Sequence, residues 1–185
     1  LCPHYHLSMQ SGCDSVLARM NRKYDSERYY ESVRLLNEAY ETPGITTDLI
    51  LGFPGETEEE FQQTLAFIRR CAFSAMHIFP YSRRPGTPAD GMPGQILNSV
   101  KEERAHRAQQ AALEMEAAYL DRWVGRTVPV LFEEERDGLW RGHTTRYSEV
   151  AAPSGENLHN QLRQVYITGR AGNILQGELC EGQEK

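Results

Sequence analysis

Apolar positions in the first half of the chain recur with helical spacing in some stretches and form short, dense runs in others. Tyr29, Val33, Leu36 and Tyr40 follow one another at steps of four, three and four, which predicts a helix starting after Asp25 and stopped at Pro43-Gly44. The run Ile45-Thr46-Thr47-Asp48-Leu49-Ile50-Leu51 is β-branched at its start and closed by Gly52-Phe53-Pro54-Gly55, so it predicts a buried strand that delivers the carboxylate of Asp48 to a strand end. Thr57-Glu58-Glu59-Glu60 then reads as a capping box for a helix with Phe61, Leu65 and Ile68 on one face. Ala75 to Tyr81 is the next strand, ending in the loop Ser82-Arg83-Arg84-Pro85-Gly86-Thr87-Pro88. Upstream, Ser11-Gly12-Cys13-Asp14 forms a turn, with Asp14 as the N-cap of a short helix through Arg19 and Met20.

Strand and helix alternate at a spacing that requires parallel strands joined by right-handed crossovers. Three strands cannot close a barrel, so the expected α/β part is half of a larger one. A long amphipathic helix follows from about Val100 to Trp123, with Ala108, Ala111, Met115, Ala118 and Tyr119 at helical spacing. Beyond it the texture changes to short alternating strands: Val128, Val130 and Phe132, then the turn Asp137-Gly138, then Leu139 to Thr144, Val165 to Thr168 and Ile174 to Leu179. These predict a small β-barrel. The domains expected are therefore residues 1–123 and 124–185.

No apolar stretch approaches the ~18 to 20 residues of a membrane span, and no signal peptide is visible, so a cytoplasmic protein without membrane contact is expected. The chain of 185 residues starts at Leu1 in mid-pattern, which implies sequence upstream. Its net charge of −6 argues against wholesale electrostatic binding of nucleic acid, leaving only local RNA contacts. Cys2, Cys13, Cys71 and Cys180 contain no CxxC or CxxxC pair, so neither a metal cluster held wholly within the chain nor a disulfide framework is expected, and no metal ligand is assigned. His4 and His6 fall on one face of the first strand, where they would line a polar strand end beside a substrate or, alternatively, bind a metal.

Four ordered blocks, His6-Leu7-Ser8-Met9-Gln10-Ser11-Gly12-Cys13-Asp14, Arg19-Met20-Asn21-Arg22-Lys23-Tyr24, Thr47 through Thr57, and Phe79 through Ala89, resemble the radical S-adenosylmethionine methylthiotransferases, and the final barrel resembles the TRAM module that ends them. Cys2-Pro3-His4 and Met76 through Arg84 are most similar to the subgroup acting on tRNA N6-threonylcarbamoyladenosine. Isopentenyladenosine tRNA or a ribosomal protein is the alternative substrate, and an RNA-binding module on a non-catalytic barrel the alternative class. The resemblance implies S-adenosylmethionine, reductively cleaved to a radical at an iron-sulfur cluster, together with tRNA and an electron donor. It also implies two four-iron four-sulfur clusters held by residues outside this chain, so that the chain alone would be inactive and contributes no catalytic residue.

On this resemblance Asp48 would accept hydrogen bonds from the cofactor's ribose hydroxyls, and Arg22 would hold its carboxylate with a bidentate fork. Gln10, with Ser11 beside it, would bind the ribose or the methionine portion. Phe79 and Tyr81 would pack on adenine, with plain core packing as the alternative. Arg83 and Arg84, in the loop at the barrel mouth, would meet tRNA phosphate or the substrate's carboxylate. Glu56 would join the acidic first turn of the following helix. In the small barrel Arg141, His143, Arg146 and Tyr147 interleave basic and aromatic groups suited to RNA, although residues 124–185 carry seven Lys or Arg against nine Asp or Glu.

Overall fold

The computed structural model describes residues 2–180, and its contacts divide the chain into two compact units: Tyr5–Met115, and Glu116 onward together with the first four residues. In the first unit a three-stranded sheet has the order β1 (His4–His6), β2 (Gly44–Leu51), β3 (Ala75–Pro80). β2 and β3 run parallel, with Asp48 opposite His77 and Ile50 opposite Phe79. Side chains alternate across a strand, so Thr47, Leu49 and Leu51 enter the core while Thr46, Asp48 and Ile50 lie on the other face.

The core face is covered by α2 (Ser26–Ala39) and α3 (Glu58–Cys71), whose Tyr29, Val33, Phe61, Leu65 and Ile68 pack with Leu49 and Leu51. Asp25 caps α2, its side chain accepting from the Arg28 N–H at 2.8 Å. Both halves of the Thr57/Glu60 capping box are present in α3. α1 (Asp14–Arg19) starts one residue earlier than expected: Cys13 is its N-cap, and Asp14 lies inside the helix, its carboxylate accepting from the Ser26 N–H at 2.7 Å. Asp14 thus satisfies an orphan donor at the start of α2, not of its own helix.

Glu60 does more than cap. It receives a two-pronged ion pair from Arg19, with Nη1 at 2.9 Å from Oε1, and the hydroxyl of Ser15. The Arg19 guanidinium, then Ser15 and the Thr57 N–H, hold its carboxyl down to about 2. A depressed carboxylate contributes stability above the unfolded value of about 4.3 and loses it as pH falls through the folded one. Glu60→Gln keeps the capping box but should flatten the acid slope of stability between about pH 4.3 and 2, read by thermal melts at stepped pH.

α4 (Asn98–Asp121) follows a short 3-10 turn at Pro88–Gly91. Its Ala108 and Ala111 complete the α/β core. In the second unit its last turns carry Tyr119 and Leu120, which with Trp123 join the apolar interior of a closed barrel. That barrel has the order β4-β5-β6-β8-β7, built from β4 (Thr127–Arg136), β5 (Leu139–Thr144), β6 (Glu149–Ala152), β7 (Leu162–Ala171) and β8 (Ile174–Leu179). All neighbours are antiparallel except β6 and β8. Asp137 (φ 55) and Gly138 (φ 76) form the tight β4–β5 turn that the sequence marks. β6 has no counterpart among the expected strands, and the strand expected at Val165 to Thr168 runs the full ten residues of β7.

Candidate functional site

The sheet face opposite the helices carries the first candidate site. Asp48 sits there with its side chain 30% exposed. His6 reaches it from β1, its Nε2 3.2 Å from Asp48 Oδ2 and its Nδ1 3.1 Å from the Thr46 hydroxyl. His77 flanks Asp48 from β3, and Phe79, 52% exposed, lies two residues farther along. His6 and His77 are ring neighbours at 6.3 Å. Asp48 Oδ1 has no protein partner among the described residues. A half-exposed carboxylate with one oxygen held and one open, beside an open aromatic face, is suited to the hydroxyls and flat base of a nucleoside.

Gln10 borders this site through its backbone. At φ 70 it makes an isolated parallel bridge with Leu49: its N–H donates to Asp48 O and its carbonyl accepts from the Ile50 N–H, both at 2.9 Å. The segment before it is pinned from below, the Tyr29 hydroxyl donating to Leu7 O at 2.7 Å and the Met9 N–H to Thr47 Oγ1 at 3.0 Å. Ser11 is not placed for the ligand role expected of it. It is 1% exposed, and its hydroxyl accepts from the Cys13 N–H and meets Thr64 Oγ1 of α3, so it holds the turn. Arg22 is exposed in the turn between α1 and α2, directly after Asn21 at φ 57. Tyr81 leaves the face that Phe79 lines: it packs edge-on against Phe53 at 5.3 Å in a satellite core with Cys13 and Val16. The two aromatics therefore do not form one adenine-facing pair.

Loops at the strand ends are clamped by buried cations of α4 that sequence reading did not single out. Arg104, 5% exposed, donates to Glu56 Oε1 at 2.8 Å and to Glu56 O at 3.1 Å, while the same Oε1 accepts from the Gly52 N–H. Glu56 is thus not part of the acidic first turn of α3; it is 3% exposed and ties the Gly52–Glu56 loop to α4. Burial pushes its carboxyl up, against the Gly52 N–H and the Arg104 charge. Lys101 donates to Tyr81 O at 3.0 Å and walls a pocket of ≈ 450 Å³ with Tyr81, Ser82 and Arg83. Arg83 is engaged by Asp90, at 2.8 Å to the carboxylate, whereas Arg84 stands exposed.

In the barrel Tyr147 is 68% exposed, sits at φ 64 and stacks on His143 with ring centres 4.6 Å apart and planes 18° from parallel. The turn that lifts it closes on Thr144, whose hydroxyl accepts from the Arg146 and Ser148 N–H groups. A bulky side chain at positive φ marks a position held by its surroundings. The basic groups nearby are offset: Arg141 donates to Glu149 at 3.2 Å, His143 meets Glu133 at 2.9 Å, and Arg146 lies over the Trp123 ring at 4.6 Å. The exposed part of this surface is consequently a stacking surface more than a cationic one.

Among the described residues no group of three or more His, Cys, Asp or Glu is placed to hold a metal ion, and no helix is long and apolar enough to cross a membrane. Residues 2–68 match the radical SAM superfamily. The threonylcarbamoyladenosine tRNA methylthiotransferase MtaB of Bacillus subtilis is 37% identical across 96% of this chain and 42% of its own length. The tRNA-2-methylthio-N(6)-dimethylallyladenosine synthases of Maricaulis maris and Thermus thermophilus are 36% and 38% identical, each across 97% of this chain and 40% and 39% of their own lengths. The chain spans about two fifths of the length of these relatives. The α/β unit, and the closed five-stranded barrel that follows it in the chain, fit a partial radical SAM barrel and a small all-β barrel.

Proposed function

We propose that this chain, similar over nearly its whole length to radical S-adenosylmethionine tRNA methylthiotransferases, is the part of such an enzyme that binds the nucleoside of S-adenosylmethionine on the open sheet face and grips tRNA with its barrel. The observation that carries this reading is Asp48, presented with one free carboxylate oxygen beside His77 and Phe79, in a chain 37% identical to a tRNA methylthiotransferase across 96% of its length. When bound, S-adenosylmethionine at an iron-sulfur cluster supplies the radical chemistry. Among the described residues the four cysteines, two of them buried, are not gathered into a cluster site, and on this reading the clusters are held by residues outside this chain. What this chain would contribute is orientation: Asp48 for the ribose, Phe79 for the base and Arg22 for the cofactor's carboxylate, with the Gln10 backbone bonded to Asp48 and Ile50 so that it holds the strand. Ser11 and Tyr81 support the surrounding turns.

The substrate proposed is N6-threonylcarbamoyladenosine in tRNA, modified at C2 with a methylthio group. Dimethylallyladenosine is the second reading, because synthases named for it match equally well, one from Oleidesulfovibrio alaskensis at 44% identity across 84% of this chain. Methylthiolation of each tRNA by the full-length enzyme, followed by nucleoside mass spectrometry, separates them. On the RNA side, the Tyr147–His143 stack would receive an unstacked base, an interaction worth about 1–3 kcal/mol.

The cofactor site is tested in the full-length enzyme. Asp48→Ala and Arg22→Ala should each weaken S-adenosylmethionine binding by roughly 1.5 to 3 kcal/mol, the range for losing a hydrogen bond to a charged group, with melting temperature unchanged. Calorimetry returning parental affinity for both variants would refute the site.

A further inference from the structure

We infer that His6 is a positioning residue that locks the Asp48 carboxylate for a vicinal diol, a role that rests on the reading of Asp48 given above. The imidazole spans one strand repeat of β2, touching Thr46 with one nitrogen and Asp48 with the other. Thr46 and Asp48 share a face because side chains alternate, and His6 crosses to them from the neighbouring strand. The charged and titratable groups that face the ring are Asp48 and, across the face, His77. Opposite an ionised carboxylate, Nε2 must carry its proton, since a lone pair there would meet another acceptor. Nδ1 can then accept from the Thr46 hydroxyl, and Ser8 Oγ lies 3.3 Å from Nε2, where it can share the same N–H.

The terminal torsion of an aspartate is broad, so a free carboxylate samples many orientations. With Oδ2 held by His6, Oδ1 is left at one place on the open face. Two adjacent hydroxyls can then donate to a preorganised acceptor without first ordering it, which lowers the cost of binding. The chemistry recognised is a cis-diol, as in a ribose, and the proposal predicts discrimination against 2′-deoxyribose.

The test uses the full-length protein with S-adenosylhomocysteine and its 2′-deoxy counterpart as probes in calorimetry. His6→Phe should weaken S-adenosylhomocysteine by about tenfold or more and abolish the preference for ribose over deoxyribose, whereas His6→Gln, which retains an N–H donor, should keep most of both. Because His6 acts through Asp48, His6→Phe with Asp48→Ala should bind no more weakly than Asp48→Ala alone. Losses that add in the double variant, or a His6→Phe protein with parental ribose preference, would overturn the role of His6 while leaving the site standing. Unchanged affinity in Asp48→Ala would overturn the site and this role together.

Discussion

Arg104→Met is expected to destabilise the chain by about 3–5 kcal/mol, because it strands the Glu56 carboxylate in the interior without its partner. Glu56 and Arg104 have side chains only 1% and 6% exposed. Water cannot replace the lost ion pair there. The loss is also structural, since Arg104 holds both the carboxylate and the carbonyl of Glu56, and Glu56 holds the Gly52 N–H. The sign of the pH dependence follows. Burial already raises the Glu56 carboxyl, and removing Arg104 raises it further, so the penalty is present where Glu56 must be ionised and fades as pH falls and the group takes up a proton. The stability gap between Arg104→Met and parent, from urea unfolding, should therefore be widest near neutral pH and narrow toward about pH 4.3. Glu56→Gln in the Arg104→Met background should recover part of it by removing the charge itself. A gap below about 1 kcal/mol at neutral pH would show that the pair is not what anchors the loop.

Local signals made much of this legible. The β2 run, its Gly52-Phe53-Pro54-Gly55 close and the Thr57 capping box are each set by residues within a few positions of one another, and they appear where the pattern puts them. What was not legible depends on contacts distant in sequence. Glu56 reads as one more acid before a helix because its partner lies 48 residues away on α4. The alternation of β1 puts His6 on a face, but only the strand order sets it against Asp48, 42 residues on. Ser11 sits beside Gln10 in sequence, yet the left-handed turn at Gln10 sends it into the core against Thr64. β6 is four residues long and exists because β5 and β8 supply its hydrogen bonds from either side, so Val150-Ala151-Ala152 by itself carries too little pattern to name a strand. Arg141 reads as an RNA contact from its basic and aromatic neighbours, whereas the pairing of β5 with β6 brings Glu149 to it.

Gly142→Ala should be the most damaging small substitution in the barrel, at about 3 kcal/mol or more, the upper end of overpacking costs. A Cβ at this position would lie 2.2 Å from Leu131 O and 2.7 Å from the Phe132 Cα. Both obstacles are backbone, so no side-chain rotation can relieve them. The crowding has a cause in the ladder: Gly142 pairs with Phe132 where the β4–β5 register shifts between Phe132 and Glu134, and an irregularity of that kind brings the backbones close. Separating the strands to admit a methyl group would pull Phe132, fully buried, out of the barrel core. It would also disturb Trp140 and His143 on the same strand, and with His143 the stacking partner of Tyr147. Gly155→Ala is the matched control, since nothing lies within 4 Å of a Cβ there, and it should change stability by less than about 0.5 kcal/mol. Equilibrium unfolding followed by tryptophan fluorescence, to which the buried Trp140 contributes, compares the two directly. Equal stabilities for Gly142→Ala and Gly155→Ala would mean that β4 and β5 can part by the width of a methyl group at no cost, and the close approach would then not be what fixes the barrel's shape beneath the Tyr147 turn.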